Sequence, residues 1–212
     1  MRRLTVLCCL IVYIPSVMAG DGYFSGKLLY ENRFTVFGTK TDTNTLYRQF
    51  GRQVDIFMHQ GNYREQYSAG KMKWQLYVQK ENTVYYSMGA GDTLHWFNAL
   101  QTSNRCLKSI VTPNADTILG IPCDELAMYY LDKTIRFYYH ADTLKINPQW
   151  YRDFTYANKN ESTEKMKAWY LKYSMETNDF TLEMTATKIE ATEPDADLFT
   201  IPSKAVLIAD KR

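Results

Sequence analysis

CLKSIVTPNADTILGIPCDELAMYYLDKTIRFYYHADTLKINPQW, residues 106–150, decides the fold of this chain. Leu126 to Tyr130 and Thr134 to Tyr139 are dense in aromatic and β-branched residues. Asp132-Lys133 separates them, so they read as the two strands of a hairpin. After a short Leu144 to Ile146, Asn147 stands where a helix cap is wanted and Pro148 at the first helical position, which predicts a helix over roughly Pro148 to Phe154. Upstream, Thr112-Pro113-Asn114 and Gly120-Ile121-Pro122 are two turn signals lying between Cys106 and Cys123.

If bonded, Cys106 and Cys123 would close a loop of about 15 residues, worth roughly 3 kcal/mol on the chain-entropy account. The chain has no Cys-x-x-Cys, so a structural disulfide is expected ahead of two reduced thiols, and redox chemistry comes last. Compartment decides between them. Arg2 and Arg3 precede the apolar run Leu4 to Ile14, Pro15 breaks it, and Val17-Met18-Ala19 offers a cleavage site, the pattern of a secretory signal peptide. The run is too short to cross ~30 Å of hydrocarbon as a helix. Cys8 and Cys9 lie inside it, and Leu7 precedes Cys8 where a lipoprotein signal carries a small residue. The expectation is a signal peptide over 1–19 and a single domain over 20–212, exported to a periplasm, unlipidated, with Cys106 and Cys123 bonded.

Without the leader the chain is long enough for one well-packed domain and too short for two. Loss of Arg2 and Arg3 takes the formal charge from +2 to about zero, which favours neither nucleic acid nor an anionic membrane surface. Seventeen tyrosines against 10 glycines and 6 prolines point to long strands rather than to a loop-rich fold. No repeat of fixed period is present, which disfavours solenoids and propellers.

Working outward, Tyr23 to Tyr30 and Arg33 to Phe37 alternate as one strand bent near Asn32. Leu46 to Phe50 is ambiguous between helix and strand. Val54 to Met58 and Tyr63 to Tyr67 form a hairpin around Gly61-Asn62, and Trp74 to Val78 and Thr83 to Met88 form a second around Glu81-Asn82. Thr93 to Phe97 follows the turn Gly89 to Asp92. On the far side, Asn158 to Thr163 reads as a polar loop, Lys165 to Met175 and Phe180 to Ala191 as a strand pair, and Asp197 to Pro202 as a closing segment whose Phe199 and Ile201 plug the core. The expected fold is mainly β: a strongly curved antiparallel sheet of about ten strands, a half-barrel, with one to three helices on its concave face.

Signals for chemistry are weak. His59, His95 and His140 are the only histidines, none in metal-ligand spacing, so neither metal nor cofactor is expected. Gly89 to Gly91 opens no helix and reads as a turn rather than a phosphate loop. Acids such as Asp153, Asp179, Asp195 and Glu193 sit near strand ends, where they are ordinarily solvated, and Asn160-Glu161-Ser162 is read as a chance sequon. Tyr85-Tyr86, Tyr129-Tyr130 and Tyr138-Tyr139 point to opposite faces of their strands, so at most one of each pair lines a given surface.

Gly26-Lys27-Leu28-Leu29-Tyr30, Asn62-Tyr63-Arg64-Glu65-Gln66-Tyr67, Asn82-Thr83-Val84-Tyr85-Tyr86 and the closing Asp197-Leu198-Phe199-Thr200-Ile201-Pro202 together resemble motifs of the periplasmic lipoprotein carrier (LolA-like) superfamily and its less characterised relatives in bacterial envelopes. That resemblance implies a half-barrel with an apolar cavity between sheet and helices that takes acyl chains. The loop between the cysteines and the late helix at Pro148 depart from the family pattern.

On the expected helix, Tyr151 and Phe154 share a face with Trp150 beside it. This face either lies as a lid over the open side of the sheet, meeting Trp74, Leu76, Phe137 or Tyr139, or completes a dry core. These seven are the candidate ligand-binding residues. Three functional readings stand: a non-catalytic, monomeric envelope protein binding a lipid, lipoprotein or other apolar ligand; a module whose outer surface meets an envelope protein; and a hydrolase with an unrecognised site.

Overall fold

The computed structural model describes residues 22–89, 91–101 and 105–210. The expected signal peptide, with Cys8 and Cys9, lies outside the described residues. Twelve strands make one sheet: β1 (Gly26–Val36), β2 (Gln53–His59), β3 (Asn62–Tyr67), β4 (Trp74–Val78), β5 (Thr83–Ser87), β6 (Thr93–Asn98), β7 (Lys108–Ile118), β8 (Ile121–Tyr129), β9 (Lys133–Tyr139), β10 (Tyr170–Thr177), β11 (Phe180–Glu190) and β12 (Val206–Ala209). Their order is β12-β6-β5-β4-β3-β2-β1-β11-β10-β9-β8-β7. Two five-strand meanders, β2 to β6 and β7 to β11, are therefore sewn together by β1, which pairs with β2 on one side and β11 on the other. Every pairing is antiparallel except β12 with β6. The sheet is open, with β12 and β7 at its edges.

The connection from β6 to β7 explains the curvature. Ten strand spacings separate these two strands in the sheet order, about 48 Å if the sheet were flat. The chain from Asn98 to Lys108 spans at most about 35 Å when fully extended. The sheet has to curl for that connection to close, and its concave face becomes the core.

Period-two alternation selects the inward residues. Leu28, Tyr30, Ile56, Tyr63, Tyr77, Leu126, Met128 and Phe137 belong to one buried cluster. Residues 140–169 fold back over the concave face and fill most of it. Asn147 caps a 3-10 turn, Pro148–Tyr151, accepting a hydrogen bond from the Gln149 amide at 3.1 Å. The cap and the proline are where the sequence puts them, but only one tight turn forms before Phe154. The Tyr77 hydroxyl donates to the Trp150 carbonyl and the Asn82 side-chain amide to the Asp153 carbonyl, so the turn is pinned to the β4–β5 hairpin. Tyr151 and Trp169 are fully buried beside it. Aromatic side chains of this size bury about 150–250 Å² each and dominate a core's transfer free energy.

Among the described residues two α-helices accompany the sheet. α1 (Thr43–Phe50) resolves the ambiguity at Leu46 to Phe50 in favour of helix: Asp42 caps it by accepting from the Thr45 amide, and Leu46 packs with Phe34 and Leu182. α2 (Lys159–Met166) stands where the sequence reads as loop and strand. Its buried face is Ser162, Thr163 and Met166, and both hydroxyls donate back to the Lys159 carbonyl. A helix that buries satisfied hydroxyls shows no apolar period, which is why the pattern misses it.

Three further expectations are corrected. Cys106 and Cys123 are both free thiols. The residues between them form not a loop but most of a long hairpin, in which Thr112-Pro113-Asn114 is a bulge within β7 and the chain reverses at Leu119-Gly120. Cys123 pairs with Asp116 near the turn, whereas Cys106 lies beyond Lys108, whose partner is Tyr129 at the other end. Roughly 25 Å of strand separates them, against the 7 Å or so that a disulfide tolerates between Cα atoms. Phe199 and Ile201 do not plug the core: the segment after β11 crosses the outer face, where Phe199 lies 6.1 Å from the His59 ring and Arg64 donates to the Leu198 carbonyl. That segment ends in β12, an added edge strand absent from the sequence reading. Among the described residues no helix is long and apolar enough to cross a membrane.

Candidate functional site

On β3 the inward positions are Tyr63, Glu65 and Tyr67. Register places Glu65 opposite Gln75 of β4, so a carboxylate stands on the concave face between two tyrosines. It accepts from the Tyr67 hydroxyl and from the Gln75 side-chain amide at 2.8 Å. Opposite it, Lys159 opens α2. The chain reaches Lys159 through Ala157 and Asn158, two consecutive non-glycine residues with φ of 55° and 52°, a backbone costing about 1–2 kcal/mol per residue and held only where its surroundings demand it.

Between these elements lies a cavity of about 220 Å³. Tyr63, Glu65 and Gln75 form one side, Val84 and Phe97 a second, Ile135, Phe137, Tyr170 and Tyr173 a third, and Phe154, Ala157, Lys159 and Ser162 the covering segment. Ala157 is exposed to solvent, which marks the mouth. Walls of aromatic and branched side chains with a few convergent polar groups are the ordinary make-up of a small-molecule site.

Lys159 is the unusual group. Its Nζ sits 3.5 Å from the centre of the Trp169 ring and 5.5–5.9 Å from those of Tyr63, Tyr151 and Tyr170. Ring faces attract a cation but accept no strong hydrogen bond. Among the described residues Nζ has neither a carboxylate within 4.0 Å nor a hydrogen-bond acceptor. Burial pushes its pKa down to about 7, and the charge on Glu65 offsets only part of that. Burial in turn holds the Glu65 carboxyl above the usual carboxylate range, against the lowering effect of Tyr67, Lys159 and Gln75. The same loss of solvation raises the tyrosines around the cavity, Tyr63, Tyr67, Tyr170 and Tyr173 among them.

Of the seven residues singled out from sequence, Phe137 and Phe154 line this cavity. Tyr139 and Tyr151 are buried in the adjoining core. Trp150 sits at the rim, its ring edge-on to Tyr23 at 5.0 Å and close against Gly61. Trp74 and Leu76 point the other way. Gln75 between them faces the cavity, Trp74 lies under the Arg64 guanidinium at 4.2 Å on the outer face, and Leu76 is fully buried there. Glu65 and Lys159 went unnoticed in the sequence. An acid alternating with inward tyrosines at 63 and 67 is a signal for Glu65, whereas nothing in residues 155–163 announces Lys159.

A wider groove of about 1480 Å³ runs along the outer face of β1 and β11 beside α1. Among the charges along it, Lys172 pairs with Asp116 and Glu183, Arg52 stacks on Tyr47, and Asp42 caps α1.

No protein-family model matches the chain, and no curated protein matches it. Among solved structures it is similar to PNGF-II in two crystal forms, at 14% identity and a TM-score of 0.49 in one and 13% and 0.48 in the other. These similarities cover 88% of this chain, which spans about a third of PNGF-II, 31% and 32% in the two cases. It is also similar to the Mycobacterium tuberculosis lipoprotein LppX at 10% identity and a TM-score of 0.33, over 80% of this chain and 89% of that one. What the cavity can hold is decided by its own side chains.

Proposed function

We propose that this protein is an exported, non-catalytic binding protein that holds a small ligand with an apolar body in the cavity between the curved sheet and α2. The observation that carries the reading is the cavity itself. It is a space of about 220 Å³ walled by Val84, Phe97, Ile135, Phe137 and Phe154 that the protein's own side chains leave open. An apolar cavity of about 150 Å³ is known to take benzene, so this volume suits one ring or a short alkyl chain. A whole acyl chain would have to run out past Ala157. Export rests on the leader-like pattern of Arg2 to Ala19. Ser162, at the wall, donates its hydroxyl to the Lys159 carbonyl, which supports a binding role over a hydrolytic one.

Ile135→Phe tests the reading, because the added ring fills the space. Calorimetric titration of the wild type with one-ring and six- to eight-carbon compounds is expected to show binding that the variant loses while staying folded. A folded variant that is more stable, with no compound bound by either protein, would make the cavity a packing defect.

A second reading, a module that meets an envelope protein, is favoured by one feature: Val206, Leu207 and Ile208 are exposed on the edge strand β12. Exposed apolar edge strands are templates for pairing with another chain. Concentration-dependent association of the full chain that Leu207→Lys abolishes, with an empty cavity, would select it.

A further inference from the structure

The cavity contains two ionisable groups, and the protein serves them unequally. Glu65 receives two hydrogen bonds, from the Tyr67 hydroxyl and the Gln75 amide. Lys159 carries three donors when protonated and finds only ring faces, with Trp169 the nearest at 3.5 Å. Lys159 is only partly buried and lines the cavity, so its donors go to water there until a ligand oxygen takes the place of that water. A ligand cation would compete with Lys159 for the rings, and since both donors to Glu65 reach Oε2 it would have Oε1 alone to meet. A ligand anion would meet three free donors.

We infer that Lys159 is an anchor for a carboxylate, and that the cavity takes small carboxylic acids with an apolar body of one ring or about six to eight carbons. The head lies at Lys159 and Glu65, while the body lies against Phe97, Ile135, Phe137 and Phe154. This inference rests on the binding function proposed above and adds the ligand's chemical class. Charge-assisted contacts from an ammonium to a carboxylate are shorter and about twice as strong as neutral ones, and the aromatic walls around Nζ limit the water that would weaken them.

The site has a proton requirement. The charged and titratable groups around Lys159 are Glu65, Tyr63 and Tyr67 from β3, Tyr151 from the 3-10 turn, Tyr156 from the segment before α2, and Tyr170 and Tyr173 from β10. Burial raises the hydroxyls of Tyr63, Tyr67, Tyr151, Tyr170 and Tyr173 above the ordinary value, and phenols, ordinarily at about 10, stay neutral through the neutral range. That leaves Lys159 and Glu65 to titrate. A ligand carboxylate needs Lys159 protonated and is helped by a proton on Glu65, so binding takes up protons and weakens as pH rises past neutrality.

Titration calorimetry with the chain lacking residues 1–19 tests this, using benzoate and phenylacetate for the aryl class, hexanoate and octanoate for the alkyl class, and benzyl alcohol, hexanol and benzylamine as neutral and cationic counterparts. The wild type is expected to prefer a carboxylate over its alcohol at least tenfold at pH 7. Affinity should fall by up to tenfold per pH unit above that, with proton uptake visible in buffers of different ionisation enthalpy. Lys159→Met should bind acid and alcohol alike. Lys159→Arg should keep the preference and lose the pH dependence, and it carries the test if Lys159→Met does not fold. The better of the two acid classes identifies the body. A wild type that takes alcohol as tightly as acid, prefers benzylamine, or keeps its preference in Lys159→Met would overturn the anchor while leaving the cavity a binding site. Binding of none of these compounds would overturn both.

Discussion

Lys159 is partly buried, with its head set against the rings of Trp169, Tyr63, Tyr151 and Tyr170. The folded state favours its neutral form, with a pKa pushed down to about 7 from the ordinary value of 10.5. Between those two values the unfolded chain binds more protons at this site than the folded one, so this group's contribution to stability rises with pH across that window. Glu65 works in the opposite direction at lower pH: its raised carboxyl lets the folded state hold an extra proton above 4.5, a contribution lost as pH rises through the folded value. Denaturant unfolding of wild type and Lys159→Met at about pH 7.5 and 9.5 is expected to show the wild type gaining up to about 1.4 kcal/mol per pH unit relative to the variant. A flat difference would place the amine in solvent. The neighbouring tryptophans separate core from rim in the same way. Trp169 is fully buried, and Trp169→Ala should cost about 3–5 kcal/mol. Trp150, half-buried at the rim against Tyr23 and Gly61, should cost less than half as much on truncation and leave ligand uptake in place. Equal losses would show Trp150 to be core.

At the scale of elements, the β7–β8 hairpin gives a decisive contrast with a bridged loop. Free cysteines at its two ends act independently. Cys123 is buried and Cys106 only partly so. Cys123→Ala should cost about 1 kcal/mol and Cys106→Ala close to nothing, with the double change equal to their sum, as for sites well separated in space. A disulfide would instead make each single change as costly as the double, at about 2–5 kcal/mol. Thiol labelling of the unfolded, unreduced chain without residues 1–19 should count two free groups. α2 raises a different matter. Its hold on the sheet comes from Met166 and from hydroxyls turned back onto its own first carbonyl, and its entry at Ala157 and Asn158 is left-handed. A short helix with so little apolar face owes its place to the Trp169 and Phe154 layers around it, and that arrangement sets Lys159 at the cavity.

For the whole molecule, the connection from β6 to β7 and the seam made by β1 turn two ordinary meanders into one curved sheet. The curve leaves a concave face that residues 140–169 fill almost completely. The C-terminal segment then crosses the outer face at β3 and adds β12 beside β6. The Tyr86 hydroxyl donates to Asp210 at 2.7 Å just beyond that strand. Removing residues 203–212 uncovers the β6 edge and deletes this bond. The truncated chain is expected to stay folded, because β12 itself is exposed and buries little, but to associate more strongly as an unpaired edge is opened. Light scattering across a concentration series measures this. A truncated chain as monomeric as the full one would show that β6 needs no cover.

The strands were legible because two-residue alternation is a local property. Tyr63 and Tyr67, Leu126 and Met128, or Ile135 and Phe137 announce an inward face whatever they later meet, and Asn147-Pro148 announces a turn by its own backbone chemistry. Turn residues between such runs were enough to order the hairpins, and their number was enough to imply a curved sheet. Local patterns do not say which parity of a strand faces the core, and so Trp74 and Leu76 stood beside Phe137 as equals until the register of β3 and β4 put Gln75 inward. They do not measure distance along a hairpin, so two cysteines 17 positions apart in sequence suggested a bridge that a strand of that length forbids. Nor do they reveal a helix whose buried side is hydroxyls. The cavity and its lysine belong to that second group. Glu65 comes from the third strand and Lys159 from a segment nearly a hundred residues later, and Trp169 comes from the run into β10. Only the fold brings them together, and only there does burial take from an ordinary surface residue type the water that would have served its charge.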